Sequence, residues 1–185
     1  MENERELVDQ RLGQWVASMQ EFRLPDWDSL PQLELYMDQV IVLLKRYLGP
    51  LSWGGEEKAI TASIINNYVR LKVMPPPVKK RYGRVHLACL IIICILKQNL
   101  SISNIQRMLP EDHSEEAVRR LYNDFVEQYH LMSGKFVHHM QDRNAPLIES
   151  GSPITSAAII SNLFQGLTEY LLQPPQEREP GKKSE

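Results

Sequence analysis

Four polar side chains suited to reading nucleic acid share one face of a predicted helix in the middle of the chain. At about 100° per residue, the helix predicted for 61–71 turns its apolar residues to one side. The opposite side collects Ser63, Asn66, Asn67 and Arg70. Asn pairs bidentately with adenine, whereas Arg binds guanine or a phosphate. The pattern indicates a recognition helix, with an ordinary solvated helix face as the alternative interpretation.

This helix lies within a stretch of positive charge. From Lys58 to Pro110 the sequence has no Asp or Glu, and its basic residues are Lys58, Arg70, Lys72, Lys79, Lys80, Arg81, Arg84, Lys97 and Arg107. The whole chain has 21 Lys and Arg against 23 Asp and Glu, so the remainder is strongly acidic. A field of one sign concentrates partners of the opposite sign. The segment therefore predicts a polyanionic partner, and we expect double-stranded DNA.

A short basic turn follows the predicted recognition helix. Pro75-Pro76-Pro77 ends the helix, since proline lacks the amide proton and its ring clashes with the preceding turn. The turn then presents Lys79, Lys80 and Arg81, which are expected to reach a phosphate or the minor groove.

Patterns of catalytic or metal-binding residues are not evident in the sequence. It has no H-E-x-x-H motif, Gly-rich phosphate loop, Ser-His-Asp arrangement or paired-carboxylate pocket. His138 and His139 are adjacent, so on a helix they diverge by about 100° and do not ligate one ion. We therefore expect a non-catalytic protein without a metal or another cofactor.

The sequence also predicts a cytoplasmic protein that does not contact a membrane. Cys89 and Cys94 suit neither a redox pair nor a zinc knuckle at their spacing, and we expect buried thiols. The first ten residues are charged and lack the apolar core of a secretory signal. The longest apolar run, Leu87 to Leu96, is about half of the ~20 residues that span a bilayer.

Helical periodicity predicts an all-α, multi-helix fold. The predicted helices are an N-terminal one containing Leu7 to Met19, then Leu35–Leu48, Thr61–Leu71, Arg84–Gln98, a short one from Ser101 or Ser103 to Pro110, Asp112–Met132 and a last one containing Ile159 to Leu171. Asp112 and Glu115 have the spacing of a capping box. Gly49 to Ala59 is predicted to be a loop, and Gly134 to Pro153 a long connection.

These elements predict four regions in the chain. Residues 1–34 form an N-terminal helix and turn, and residues 35–110 form a helix-turn-helix unit that binds DNA. Residues 111–172 form a C-terminal helical region, expected to take part in dimerisation. Residues 173–185 are too polar to fold and are predicted to be a disordered tail.

The order of the central elements resembles the DNA-binding unit of MerR-type regulators. Those proteins have a recognition helix that ends before Leu-Leu-Pro, a basic wing that ends in Arg-Tyr, an apolar helix and a final short helix. The matching residues here are Thr61, Ile64, Ile65, Tyr68, Val73, Met74, Pro75, Arg81, Tyr82, Leu100, Ser101, Ile102 and Ile105. The resemblance covers about 50 residues and depends on the order of the pieces.

The resemblance implies a MerR-like helix-turn-helix with a short basic wing and a C-terminal helical lobe. Together with the polar helix face, it gives a set of expected DNA contacts: Thr61, Ser63, Asn66, Asn67, Tyr68, Arg70, Lys72, Lys79, Lys80, Arg81, Tyr82 and Arg84. Asn66 and Asn67 replace the Arg-Tyr of that family, so its base preference does not carry over. The wing is also short, because only residues 75–82 separate the two helices.

Together with its flanking segment from Leu24 to Leu48, the chain also resembles a bacterial family known as domain of unknown function 1836. That second resemblance covers most of the chain before the polar tail. The family label implies no activity.

A hydrophobic seam predicts a homodimer. Val118, Tyr122, Phe125, Tyr129 and Met132 are spaced 4, 3, 4 and 3 residues apart, as in two heptads of a coiled coil. The resemblance places a dimerisation helix at this point, and a helix-turn-helix reader needs two half-sites. Packing of the seam against the last helix of the same chain is the alternative, as is dimerisation by both C-terminal helices.

Two further interpretations stay open. The aromatic residues Tyr122, Phe125, Tyr129 and Phe164 line a pocket for an unknown effector, or they belong to the core. The basic face binds DNA in a sequence-specific transcriptional regulator. Alternatively, the protein is an interaction module whose basic face binds an acidic protein or an RNA.

Overall fold

In the computed structural model, the described residues (2–51, 60–141 and 153–172) form an all-α fold, as predicted. Seven α-helices follow one another within these ranges, and no β-strand occurs there. They are α1 (Glu2–Glu21), α2 (Met37–Leu48), α3 (Ala62–Arg70), α4 (Arg84–Leu96), α5 (Ile102–Met108), α6 (Glu115–Gln141) and α7 (Pro153–Leu171). A 3₁₀ turn, Gly49–Leu51, extends α2. Most of the predicted loop after Leu51, together with Lys58 and the predicted tail, lies outside the described residues.

Helix α4 forms the centre of the core because it is apolar on every side. All residues from Leu87 to Ile93 are buried. A helix of this kind must be surrounded, and α2 and α6 both pack against it. Cys89 and Cys94 lie in α4, and burial raises the pKa of both thiols to about 12. Both therefore stay protonated at neutral pH and behave as small apolar side chains.

Helices α2 and α3 each bury one side. The buried residues of α2 are Val40, Leu44 and Leu48, which follow the helical period. Ile65 and Tyr68 are the buried residues of α3, which packs against α2. The chain leaves α3 through Val73 and Met74, each only 1% exposed, which fix the start of the proline segment.

Helix α6 is longer than predicted and begins at a different cap. Ser114 Oγ accepts a hydrogen bond from Ala117 N–H (3.3 Å), so Ser114, rather than Asp112, caps the helix. The helix continues through Gly134 to Gln141, which corrects the connection predicted to begin at Gly134. Residues 142–152 of that connection lie outside the described residues.

The seam predicted to mediate dimerisation is largely buried within the chain. Val118 and Tyr122 are 0% exposed, Phe125 and Tyr129 are half-buried, and only Met132 is exposed. Helix α6 makes its main helix contacts with α4 and α1. Val118 and Tyr122 therefore have no exposed surface for a second copy, while dimerisation itself stays a prediction.

The segment between α1 and α2 covers one end of the core. Its Leu24, Trp27 and Leu30 are at most 3% exposed. Tyr122 Oη of α6 donates a hydrogen bond to Pro25 O (2.7 Å), and Leu24 N–H donates to His130 Nε2 (3.0 Å). Two polar groups of α6 thus hold an irregular segment whose backbone would otherwise lose its partners on burial.

Helix α7 packs little against the other described helices. Its link to the core is Leu172, just after its end, which is partly buried and accepts a hydrogen bond through its carbonyl from Arg107 (3.3 Å). Within the described ranges, no helix combines the length and the apolar content that a membrane span requires.

We predict that Tyr122→Phe lowers the free energy of unfolding by about 1–2 kcal/mol, because the buried carbonyl of Pro25 loses its donor. Urea unfolding followed by circular dichroism measures the change. The matched control is Tyr129→Phe on the same helix, whose hydroxyl makes no hydrogen bond within the described part of the chain; it should change stability by less than about 0.5 kcal/mol. Equal effects of the two substitutions would contradict the role of the Pro25 contact.

Candidate nucleic-acid interface

The polar face of α3 points to solvent. Ser63, Asn66 and Arg70 are exposed, and Asn67 is half-buried. Thr61 is the N-cap, with its Oγ1 accepting from Ile64 N–H (3.3 Å), as its position in the sequence predicts. The first turn has no acidic side chain, so the amide end of the helix and its outward face present no negative charge.

Asn67 and Arg70 form one unit on this face. Arg70 Nη2 donates to Asn67 Oδ1 (2.7 Å), one turn apart on the helix surface. The bond orients both side chains and leaves the Asn67 amide group and the other guanidinium N–H groups as outward donors. Asn66 is exposed beside them, and its amide can both donate and accept a hydrogen bond.

The end of α3 holds a lysine in an unusual backbone conformation. Lys72 N–H donates to Val69 O and Val73 N–H donates to Tyr68 O, each at 3.0 Å, which is a Schellman motif. Lys72 stands at the position of this motif that favours glycine, with φ of 57°. Its side chain is exposed. His113 Nε2 lies 3.2 Å from Val73 O and helps to fix the turn.

The basic turn after the prolines is a two-residue hairpin. Val78 and Arg81 exchange both backbone hydrogen bonds, at 2.9 and 3.1 Å. The two residues between them, Lys79 and Lys80, have φ of 48° and 64°, the pattern of a type I′ turn. Such turns favour Asn-Gly, but here two exposed lysines occupy the tip. The hairpin is shorter than the usual wing and needs no glycine to close.

Three contacts fix this hairpin to the body of the protein. Leu35 and Tyr82 exchange two backbone hydrogen bonds of 2.9 Å, which join the hairpin to the segment before α2. Tyr82 packs edge-on against His86, with ring centroids 5.4 Å apart. His86 Nδ1 accepts from Gly83 N–H (3.0 Å) and its Nε2–H donates to Pro76 O (3.2 Å). The ring must therefore be neutral, with its proton on Nε2.

Arg81 is an exposed basic residue that a neighbouring side chain orients. Its guanidinium lies 4.8 Å from the centre of the Tyr36 ring, and Nη2 donates to Tyr36 Oη (3.0 Å). Both side chains are exposed, with Tyr36 at 52%. No sequence pattern indicates Tyr36, because an isolated tyrosine before a helix has no pattern of its own.

Three of the expected DNA contacts have structural roles in the fold. Tyr68 is 7% exposed and Tyr82 is 3% exposed, so both rings belong to the core, and burial raises the pKa of each. Arg84 donates to Leu30 O (3.0 Å) and Asp28 O (3.2 Å), where it binds the segment between α1 and α2. These roles leave the three side chains less free to reach DNA than the exposed residues of α3 and the hairpin, and their contact with DNA stays a prediction.

Acidic residues border the basic surface. The pairing of Leu35 with Tyr82 brings Glu34 near the base of the hairpin, and its negative charge acts on His86. Asp28 lies on the same segment and forms an ion pair with Arg119 of α6 (3.6 Å). The basic surface is therefore confined to the outward side of α3, Lys72 and the hairpin tip, and it does not spread over the whole face.

The remaining basic residues of the segment lie on supporting helices. Lys97 Nζ donates to Leu100 O (3.3 Å), while Arg107 contacts Leu172 O. In the described ranges, no group of three or more His, Cys, Asp or Glu side chains is placed to hold a metal ion.

A family model described as "Domain of unknown function (DUF1836)" matches residues 25–125, more than half of the chain. The matched range begins in the segment before α2 and ends within α6, so it includes the whole candidate interface. No curated protein and no solved structure matches the chain.

We predict that the protein loses stability as the pH falls below about 6.5. Burial is the main cause that lowers the pKa of both His86 and His130, and both accept backbone hydrogen bonds that protonation would break. The unfolded chain binds more protons than the folded one in that range, so the free energy of unfolding decreases with falling pH. Thermal unfolding between about pH 7.5 and 5.5 measures the slope.

His86→Asn and His130→Asn should each reduce this slope, whereas the control His139→Asn, exposed near the end of α6, should leave it unchanged. An identical slope in all four proteins would contradict the assignment.

Proposed function

The chain belongs to the DUF1836 family. For this member we propose the function of a non-catalytic, sequence-specific DNA-binding regulator of transcription. In this proposal α2 and α3 form a MerR-like helix-turn-helix, α3 is the recognition helix, and the hairpin at Val78–Arg81 is its wing. Double-stranded DNA is the partner, and the protein acts in the cytoplasm.

The observation that carries the proposal is a set of three strained lysines. Lys72, Lys79 and Lys80 all have positive φ, where residues other than glycine cost roughly 1–2 kcal/mol each. Glycine at the end of α3 and Asn-Gly at the hairpin tip would relieve this cost. All three side chains are exposed, so packing does not explain them. Strain that persists at exposed cations supports a function for the positive charge.

The position of these lysines suits a nucleic acid. Lys72 follows the recognition helix directly, and Lys79 and Lys80 stand at the tip of the hairpin, so phosphate contacts lie on both sides of the base-reading face. Arg81, held against Tyr36, is aimed as a further phosphate contact. Phosphate contacts of this kind fix the register of a protein on the duplex but carry no sequence information.

In this proposal the exposed side of α3 contacts the bases. Asn66 and the Asn67–Arg70 unit present the donors and acceptors that recognise adenine and guanine in the major groove. Ser63 lies one turn earlier, where it is suited to a phosphate or a base edge. Four short polar and basic side chains on a helix of nine residues match the three or four residues that such helices use.

We predict that Lys79→Asn/Lys80→Gly weakens binding to DNA and stabilises the fold. The variant removes two phosphate contacts, so affinity for random-sequence duplex DNA should fall by about tenfold or more at low salt. Its log–log salt dependence should be shallower by roughly 1.8 units, since each phosphate contributes about 0.9. The free energy of unfolding should rise by about 1 kcal/mol, because Asn-Gly relieves the positive φ angles.

The control for this prediction is Arg11→Gln/Lys135→Gln, which removes two exposed positive charges from α1 and α6. It should leave the salt dependence unchanged. No binding of the unmodified protein to duplex DNA at low salt would overturn the proposal and favour the alternative module that docks an acidic protein or an RNA. A more stable hairpin variant with undiminished DNA binding would remove its central observation.

We predict a division of labour between α3 and the hairpin. Asn66→Ala and Asn67→Ala should change the preferred sequence, with a loss of about 1–3 kcal/mol on the best site of the unmodified protein. Arg81→Ala should weaken all sequences about equally. Selection of binding sites from a random library, followed by competition assays, measures both effects. One common consensus for all of these proteins would contradict the division.

A further inference from the structure

Helix α7 exposes a broad apolar face that no other part of the described fold covers. Six of its large apolar residues, Ile159, Leu163, Phe164, Leu167, Tyr170 and Leu171, are 51–70% exposed, whereas Ile160 on the same face is half-buried and Ile154 is exposed on the other side. At 100° per residue, these six side chains fall within an arc of about 140° on the helix surface. Ile159 and Phe164 lie at the two edges of the arc. Contiguous apolar surface of this extent is unusual on a monomer and marks a binding face.

The sequence of α7 does not stabilise a helix without packing. It contains Thr155, Ser156, Ile160, Asn162 and Gly166, all weak helix formers, among its 19 residues. Isolated helices of this length are marginal in water even when they are rich in alanine, and helices in proteins depend on burial of an apolar face. The helical state of α7 therefore requires a partner for that face.

Within the described residues, α7 makes no extensive contact with another helix. Its nearest described contact is made by Leu172 and Arg107 at the end of the helix, which leaves the apolar face open. In the sequence outside the described residues, only Trp53, Leu147 and Ile148 are large and apolar beyond the first residue. Three scattered side chains are too few to cover six.

The charge of α7 indicates the chemistry of the missing partner. Glu169 is its only charged residue and lies on the side opposite to the apolar face. The polar side has no Lys or Arg, which helices that bind membrane surfaces use to contact lipid headgroups. A partner must therefore be an apolar protein surface that offers no unpaired charge, and the same face of a second copy meets this condition.

We propose that α7 is the interface through which two copies of this chain associate, with the two apolar faces packed about a twofold axis. Six side chains with about 100 Å² exposed on each give roughly 600 Å² per copy. That approaches the ~800 Å² per partner of a stable interface. Most of the seam predicted on α6 is buried within the chain. Helix α7 has the exposed apolar surface that a dimer interface needs.

This proposal goes beyond DNA binding and is measured without it. A dimer would place two copies of α3 in a fixed relation, as a twofold operator requires. The association itself depends only on α7, so its failure would leave the proposed function of the basic surface untouched.

Sedimentation equilibrium of the full chain, from about 1 to 100 μM and in the absence of DNA, tests the proposal. The unmodified protein should reach twice the chain mass of 21.4 kDa at tens of micromolar. Phe164→Glu/Leu167→Glu places two carboxylates in the apolar contact and should raise the dissociation constant by about 100-fold or more. The mean residue ellipticity at 222 nm should also decrease on dilution, as α7 loses its cover.

The matched control is Asn162→Glu, which adds a carboxylate on the polar side of the same helix and should leave the dimer intact. A second control, Met132→Glu, tests the exposed apolar residue at the end of the α6 seam and should also leave it intact. A monomeric unmodified protein would overturn the proposal, as would a dimer that Met132→Glu weakens and Phe164→Glu/Leu167→Glu does not. If the double variant misfolds, Leu163→Ser must weaken the dimer.

Discussion

The burial of α4 is the constraint on which the rest of the structure depends. This helix is apolar on every side, so neighbouring elements must pack around it and bury part of their own apolar surface against it. Helix α6 and the segment between α1 and α2 provide much of that cover, and α2 provides another part. The need to bury α4 determines which apolar residues lie in the core and which stay exposed to a partner. Val118 and Tyr122 belong to the core, where Tyr122 packs edge-on against Trp27 and donates to Pro25 O.

The position of the basic surface depends on how α3 and the hairpin pack against the core. Helix α3 packs on α2 with Ile65 and Tyr68, which turns Asn66 and Arg70 outward. The hairpin that follows has little apolar content of its own and is held by the pairing of Leu35 with Tyr82 and by His86. These contacts fix a tip whose two lysines adopt positive φ angles. A rigid anchor thus supports a locally strained, positively charged turn, which is the combination found where strain serves a function.

Charge and apolar surface divide the molecule into two working faces. The exposed cations of the acid-free segment that lie on α3, Lys72 and the hairpin are bordered by the carboxylates of the segment before α2. The largest group of exposed apolar residues on one helix lies on α7, which carries one charge only. A polyanion and a second copy of the chain therefore do not compete for the same surface. The two proposals can hold together, because each uses side chains that the core leaves exposed.

Local sequence pattern accounts for most of the individual elements. Periodicity predicts the two sides of α3, the Pro75–Pro77 run predicts the end of the helix region, Thr61 is the predicted cap of α3, and Ser101, one of two candidates, caps α5. These features depend on neighbours three or four residues away, so they are visible in the chain. The end of α6 was missed because Gly134 costs only about 1 kcal/mol within a helix, and packing against α1 compensates for it.

Which side chains are accessible depends on the packing of the whole fold. Val118 to Tyr129 have the spacing of a coiled coil, but spacing does not say whether the partner lies in the same chain. Arg84 and Arg81 are three residues apart and equally basic, yet one binds the carbonyls of Leu30 and Asp28 while the other rests on Tyr36 in solvent. Such partners lie about 45 to 55 residues away in sequence. Only burial of a common core brings them together, because contacts at that separation are set by packing and not by local pattern.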